Sequence, residues 1–159
     1  MPPKKVAKAM EEDDSTEKLL RIYKRKCGEE GIPPIKRLVE SLNLGLEEGN
    51  HMETLYLWEE IGPLGFKPIM ETLKDIRYVH CKSIRLWKAN VEDEGARLVA
   101  LFLEANVTVK CLEFMDCKLT NLGCEFLSRV LVPGSAVPLI ELKLNYNDIG
   151  NEGICHLAV

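Results

Sequence analysis

No stretch of this 159-residue chain approaches the roughly 18 apolar residues in a row that a membrane-spanning helix needs. The basic opening, Met1-Pro2-Pro3-Lys4-Lys5, has no apolar core of the kind a secretory signal carries. A cytoplasmic location is therefore expected. Aromatic residues make up only 6% of the chain, and there is no excess of positive charge. The formal net charge of −4 argues against general attraction to nucleic acid or an anionic membrane, so neither is expected as a partner. The six cysteines include no Cys-x-x-Cys pair, and without an export signal they read as reduced thiols filling core or loop positions. A phosphate-binding loop, a Gly-x-Ser-x-Gly elbow and a dinucleotide fingerprint are all missing. His51, His80 and His156 are single and far apart, without metal-ligand spacing. Neither cofactor nor metal is expected, and the chain does not read as an enzyme.

What the chain does have is a repeat. From residue 52 onward a pattern of apolar positions recurs, followed by a small turn residue, an aliphatic and a glycine. It reads Val109-x-x-Leu112-x-Phe114-x-x-Cys117-x-Leu119-x-x-x-Gly123, and returns as Leu139-x-x-Leu142-x-Leu144-x-x-Asn147-x-Ile149-x-x-x-Gly153. An earlier copy runs Cys81-x-x-Ile84-x-Leu86-x-x-Ala89-x-Val91-x-x-x-Gly95, and a degraded one starts at Met52 with a shortened turn. The second apolar position falls at Leu55, Ile84, Leu112 and Leu142, in steps of 29, 28 and 30 residues. Alternating apolar residues predict a short strand with one buried face. Cys117 and Asn147 are small groups able to bond backbone where the chain turns inward. After the glycines, Ala96, Leu98, Val99 and Phe102, and likewise Phe126, Leu127 and Val130, mark the apolar face of a helix packed back on its strand. One such unit cannot bury its own face, whereas a stack can.

Residues 52–159 thus resemble leucine-rich repeats of the ribonuclease-inhibitor type. The resemblance implies an α/β solenoid, with a curved parallel sheet on the concave side and helices on the convex side. Ala89 departs from the usual Asn or Cys of the turn. Ahead of the repeats, residues 1–14 carry Lys, Pro and the acidic run Glu11-Glu12-Asp13-Asp14, and read as a disordered tail. Residues 15–50 read as a helical cap over the open end of the first repeat. Its first helix runs from Ser15 or Thr16 through Leu19, Leu20 and Tyr23 to about Cys27, with Gly28 as stop; its second starts at Pro33-Pro34. Residues 51–159 hold about four repeats, the last incomplete, which predicts a longer array or an end covered by another chain.

Within each strand the residues between the buried ones face the inside of the curve. They are Thr54, Tyr56 and Trp58; Ser83, Arg85 and Trp87; Cys111, Glu113 and Met115; Glu141, Lys143 and Asn145. Both tryptophans of the chain fall in this set, at equivalent places. Aromatic residues, Met and Arg are the types enriched where proteins bind proteins. A partner-binding surface is expected from Tyr56, Trp58, Arg85, Trp87, Glu113, Met115, Glu141 and Lys143. The alternative is that the N-terminal helices or a loop fold over the tryptophans. A non-catalytic protein-interaction scaffold is the function this pattern predicts. A helical segment ahead of repeats of this type is similar to several cytoskeletal proteins of cilia and centrosomes. That organisation implies an axonemal or basal-body assembly subunit, located in a cilium, basal body or other cytoskeleton. The same repeats also occur in activators of a small GTPase and in the ribonuclease inhibitor, which leaves regulation of an enzyme as the second reading.

Overall fold

The computed structural model describes residues 13–158. The tail read over residues 1–14 therefore lies outside the described residues, except for Asp13 and Asp14. Two helices come first, α1 (Ser15–Glu30) and α2 (Lys36–Glu48). Strand and helix then alternate: β1 (Thr54–Leu57), α3 (Gly62–Asp75), β2 (Ser83–Trp87), α4 (Glu92–Ala105), β3 (Cys111–Met115), α5 (Asn121–Val130), β4 (Glu141–Lys143) and α6 (Asn151–Leu157). The four strands form one parallel sheet in chain order, with Leu55, Ile84, Leu112 and Leu142 side by side. Helices α3 to α6 pack in the same order alongside, and α1 packs on α2 and α3. The fold is an α/β solenoid one strand and one helix thick, its layers repeating along the sheet.

Burial follows the alternation. Leu55, Leu57, Ile84, Leu86, Leu112 and Phe114 point from the strands into the core and meet Phe66, Ile69, Leu98, Val99, Phe102 and Leu127 from the helices. Each such side chain taken from water stabilises by about 1.5–3 kcal/mol. Leu142, Leu144 and Ile149 of the last strand and turn are only partly buried.

Side-chain polar groups tie each layer to the next. Asn147 donates from Nδ2 to the carbonyls of Phe114 at 2.6 Å and Leu144 at 2.9 Å. Its Oδ1 accepts from the backbone amides of Cys117 at 2.9 Å and Leu119 at 3.1 Å. One repeat earlier, the Cys117 thiol lies 3.5 Å from the Leu86 carbonyl. A second tie sits at the helix starts. Asp93 Oδ1 accepts from the amides of Thr120 at 2.8 Å and Gly123 at 2.9 Å, and Asn121 Oδ1 accepts from those of Gly150 at 2.8 Å and Gly153 at 3.0 Å. The glycines are needed here for closeness: a Cβ on Gly123 would stand 2.7 Å from Asp93 Oδ1, and one on Gly153 2.6 Å from Asn121 Oδ1. The turns after the strands pass through left-handed backbone at equivalent places, Lys88, Asp116 and Tyr146, with φ of 53°, 53° and 62°.

Local boundaries differ from the sequence reading in three places. Helix α1 does not stop at Gly28 but runs to Glu30, because Gly31, at φ 68°, supplies the left-handed cap whose amide closes on the last turn. The second helix begins at Lys36, after the prolines, because Ile35 is extended (φ −66°, ψ 112°) and stands as its N-cap. Helices α4 and α5 begin at Glu92 and Asn121, ahead of the repeat glycines, which lie inside the first turn.

Candidate functional site

The sheet face turned away from the helices carries the residues singled out from the sequence. Strand register sets them in rows: Tyr56 beside Arg85, Arg85 beside Glu113, and Glu113 beside Lys143, with Trp87 beside Met115. Tyr56 is 47% exposed, and Trp58 and Trp87 are each 42% exposed. Trp58 follows the last residue of β1 as Trp87 follows Leu86, which brings both indoles to the same end of the sheet. Tyr56 and Trp58 tilt against each other with ring centroids 4.6 Å apart. The Arg37 guanidinium of α2 lies 4.4 Å above the Trp58 ring and pairs with Glu59 at 3.0 Å. The N-terminal helices thus cover Trp58 on one side only, through a cation–π contact.

Glu113 and Met115 correct the expectation that they lie open. Glu113 sits on this face yet is 5% exposed, and Met115 is 8% exposed. The Glu113 carboxylate accepts from Trp87 Nε1 at 3.2 Å, and lies 3.3 Å from Lys143 Nζ and 4.0 Å from an Arg85 guanidinium nitrogen. Its charge is spent holding neighbours on either strand. The alternation in β3 placed Glu113 correctly on the inner face but could not reveal that longer side chains close over it. Lys143 also reaches Glu141 at 2.7 Å. That hydrogen bond holds the Glu141 carboxyl below the usual carboxylate range and the Lys143 ammonium above its ordinary value. Arg85, Glu141 and Lys143 are about half exposed and present a mixed-charge row beside the aromatic cluster.

This face has the makings of a docking surface: aromatic rings with accessible edges, a guanidinium, and charges fixed in place by neighbours. A separate group was missed in the sequence: His51 and His80, treated there as unrelated, stack with ring centroids 4.0 Å apart. The signal was present, because the two histidines are one repeat step of 29 residues apart.

Known proteins place the layered geometry in context. Residues 105–128 and 138–157 match the family model described as "Leucine Rich repeat". The fold is a leucine-rich-repeat solenoid. The chain is similar to the ribonuclease inhibitor of Mus musculus, 32% identical over 109 residues, which cover 67% of this chain and 23% of that protein. It is also similar to the ribonuclease inhibitor of Sus scrofa, 30% identical over 115 residues, or 71% of this chain and 24% of that protein. The chain thus spans about a quarter of the length of the curated relatives it matches. Both relatives support repeats of the ribonuclease-inhibitor type, as the strand, turn and helix pattern implied.

Proposed function

We propose that this leucine-rich-repeat chain is a non-catalytic scaffold that binds a partner protein on its concave sheet face. The observation that carries the reading is the pair Trp58 and Trp87, each 42% exposed at equivalent ends of adjacent strands. Monomeric proteins seldom leave large rings grouped in solvent, and such groups mark contact sites. Trp58, Trp87 and Tyr56 are the anchors, and Arg85, Glu141 and Lys143 set the register of the partner. Glu113 and Met115 act from beneath, Glu113 by orienting Trp87, Arg85 and Lys143.

The partner is a protein of a cytoskeletal or axonemal complex, a cilium or basal body being the location. That part rests on the order of a helical segment followed by repeats of this type. Similarity to proteins named as ribonuclease inhibitors favours one alternative, control of an enzyme by docking on it.

The test is capture of partners from ciliated-cell lysate by the native chain and by Trp58→Ala/Trp87→Ala, with circular dichroism of both. Each anchor contributes about 2 kcal/mol, so a partner retained by the native chain binds the double variant roughly 1,000-fold more weakly. Capture of the same axonemal proteins by a folded double variant refutes the concave-face reading. Capture of a ribonuclease or a small GTPase alone moves the function to enzyme control.

A further inference from the structure

Outside the aromatic face, polar side chains converge where α1 meets the segments entering β1 and β2. His51 precedes β1, His80 precedes β2, and their imidazoles lie nearly parallel, 5° apart in plane. Asp13, just before α1, turns one carboxylate oxygen to both: Oδ2 is 2.7 Å from His80 Nε2 and 3.6 Å from His51 Nε2. The three ligand atoms lie within 4.8 Å of one another. The other oxygen, Oδ1, accepts from the Ser15 amide at 2.9 Å and from the Ser15 hydroxyl, leaving Oδ2 for the imidazoles.

The remaining ring atoms are already positioned. His51 Nδ1 lies 2.9 Å from the hydroxyl of Thr16, a residue 4% exposed, and that hydroxyl is 3.5 Å from the Asn50 carbonyl. In the tautomer protonated at Nδ1, His51 donates to that hydroxyl, which in turn can donate to the Asn50 carbonyl. That tautomer carries its lone pair on Nε2, the nitrogen facing the Asp13 carboxylate and the one a metal would use. His80 is held by the edge of Tyr78, whose ring meets it at 73° and whose hydroxyl donates to the Met52 carbonyl at 2.7 Å.

We propose that Asp13, His51 and His80 form a binding site for a divalent transition-metal ion, and that zinc is the ion the set suits. Two imidazoles and one carboxylate are ligands of zinc and its first-row neighbours, whereas magnesium and calcium call for oxygen alone. Bonds of about 2.0–2.2 Å put tetrahedral ligand atoms roughly 3.3 Å apart. Reaching that value requires the stacked imidazoles to turn out of parallel so that both ring planes meet the ion, with Asp13 Oδ2 following while Oδ1 stays on Ser15. Thr16 is the outer partner that metal-bound histidines generally have. The fourth position opens on a cleft of about 430 Å³, lined by Asp13, Thr16, Glu17, Asn50 and His51, which admits water. As a ligand, His80 would offer the lone pair of Nε2 while the ring keeps its proton on Nδ1, and any proton displaced from Nε2 would pass to solvent. The ion clamps the start of α1 to the first two repeats.

The decisive experiment is zinc titration of the full chain, stripped with a chelator, followed by calorimetry and thermal unfolding. Cobalt(II) absorption serves as a probe of ligand type. One ion per chain, a raised unfolding temperature and cobalt bands without a sulfur charge-transfer component are expected. Asp13→Asn and His51→Gln/His80→Gln each weaken zinc binding by about 100-fold or more. Thr16→Val keeps every ligand and weakens it by roughly 10–100-fold, as loss of an outer partner does. Asp13→Asn and Thr16→Val carry the test should the double histidine variant fail to fold. Absence of saturable zinc binding overturns the proposal, as does a sulfur band pointing to the cysteines. Undiminished binding by Asp13→Asn overturns it too, and so does an unfolding temperature that follows pH but ignores zinc.

Discussion

Asn147→Ala removes a side chain that no backbone group of its own repeat can replace. The amides of Cys117 and Leu119 lose their shared acceptor, and the carbonyl of Phe114 loses its 2.6 Å donor. Cys117, Leu119 and Phe114 are all fully buried. A buried polar group left unpaired costs about 1–3 kcal/mol. Asn147 is half-buried, so water entering the alanine gap satisfies part of the loss, and the expected net cost is about 3 kcal/mol. For a chain of this size each kcal/mol lowers the unfolding midpoint by roughly 2–4 °C, giving a fall of about 6–12 °C. Because the repeats hold mainly their neighbours, the effect is local. Amide hydrogen exchange at Cys117 and Leu119 accelerates strongly, while Leu55 and Ile84 in the first two strands keep most of their protection. Asn147→Asp retains the acceptor and loses the donors, so it falls between. A midpoint shifted by less than about 2 °C, with exchange at Cys117 and Leu119 unchanged, would refute the polar tie as a stabilising device.

Gly123→Ala places a methyl 2.7 Å from Asp93 Oδ1 and should destabilise by about 1–3 kcal/mol in chemical denaturation, with a smaller loss in an Asp93→Ala background. Lys118, exposed at φ 62°, holds a conformation unfavourable to a side chain, so Lys118→Gly should stabilise by a few tenths to about 1 kcal/mol, read from the urea midpoint. Burial pushes the Cys81 and Cys117 thiols up to about 11, so alkylation at pH 8, followed by mass spectrometry, should modify exposed Cys155 first and leave those two intact. The same shift sets a sign for stability. Thiols of the unfolded chain ionise near pH 8.5 while the folded ones stay protonated, so stability falls as pH rises from about 8.5 towards 11.

Much of the solenoid was legible because its physics is local and periodic. Leu55, Ile84, Leu112 and Leu142 announce strands by alternation and stacking by their spacing, and the register aligns those four residues. Cys117 and Asn147 announced turns needing an internal partner, which their contacts with Leu86 and Phe114 supply. What escaped depends on neighbours that periodicity does not name. Asp93 is one such case, its carboxylate holding the loop of the following repeat. The charge of Glu113 suggested exposure, but Lys143, Arg85 and Trp87 converge on it. Gly28 looked like a helix stop, although three residues further on Gly31 was equally able to end the turn. His51 and His80 were judged by distance along the chain, when a step of 29 is the separation at which a solenoid makes residues touch.

The paired ties between repeats bear on how such a chain can change over generations. The two later joints share one device: Asp93 of α4 and Asn121 of α5 each accept amides from the start of the next helix, and the α5 unit both gives and receives such a tie. Duplicating the α5 unit would therefore recreate a complete joint with no new chemistry. Length variation has a safe outlet as well. Five residues connect α4 to β3 and ten connect α5 to β4, so the longest step, 30 residues, is absorbed away from both ties. The repeat is a module whose tolerance for insertion lies between helix and next strand, while in the last three units the turn keeps one length.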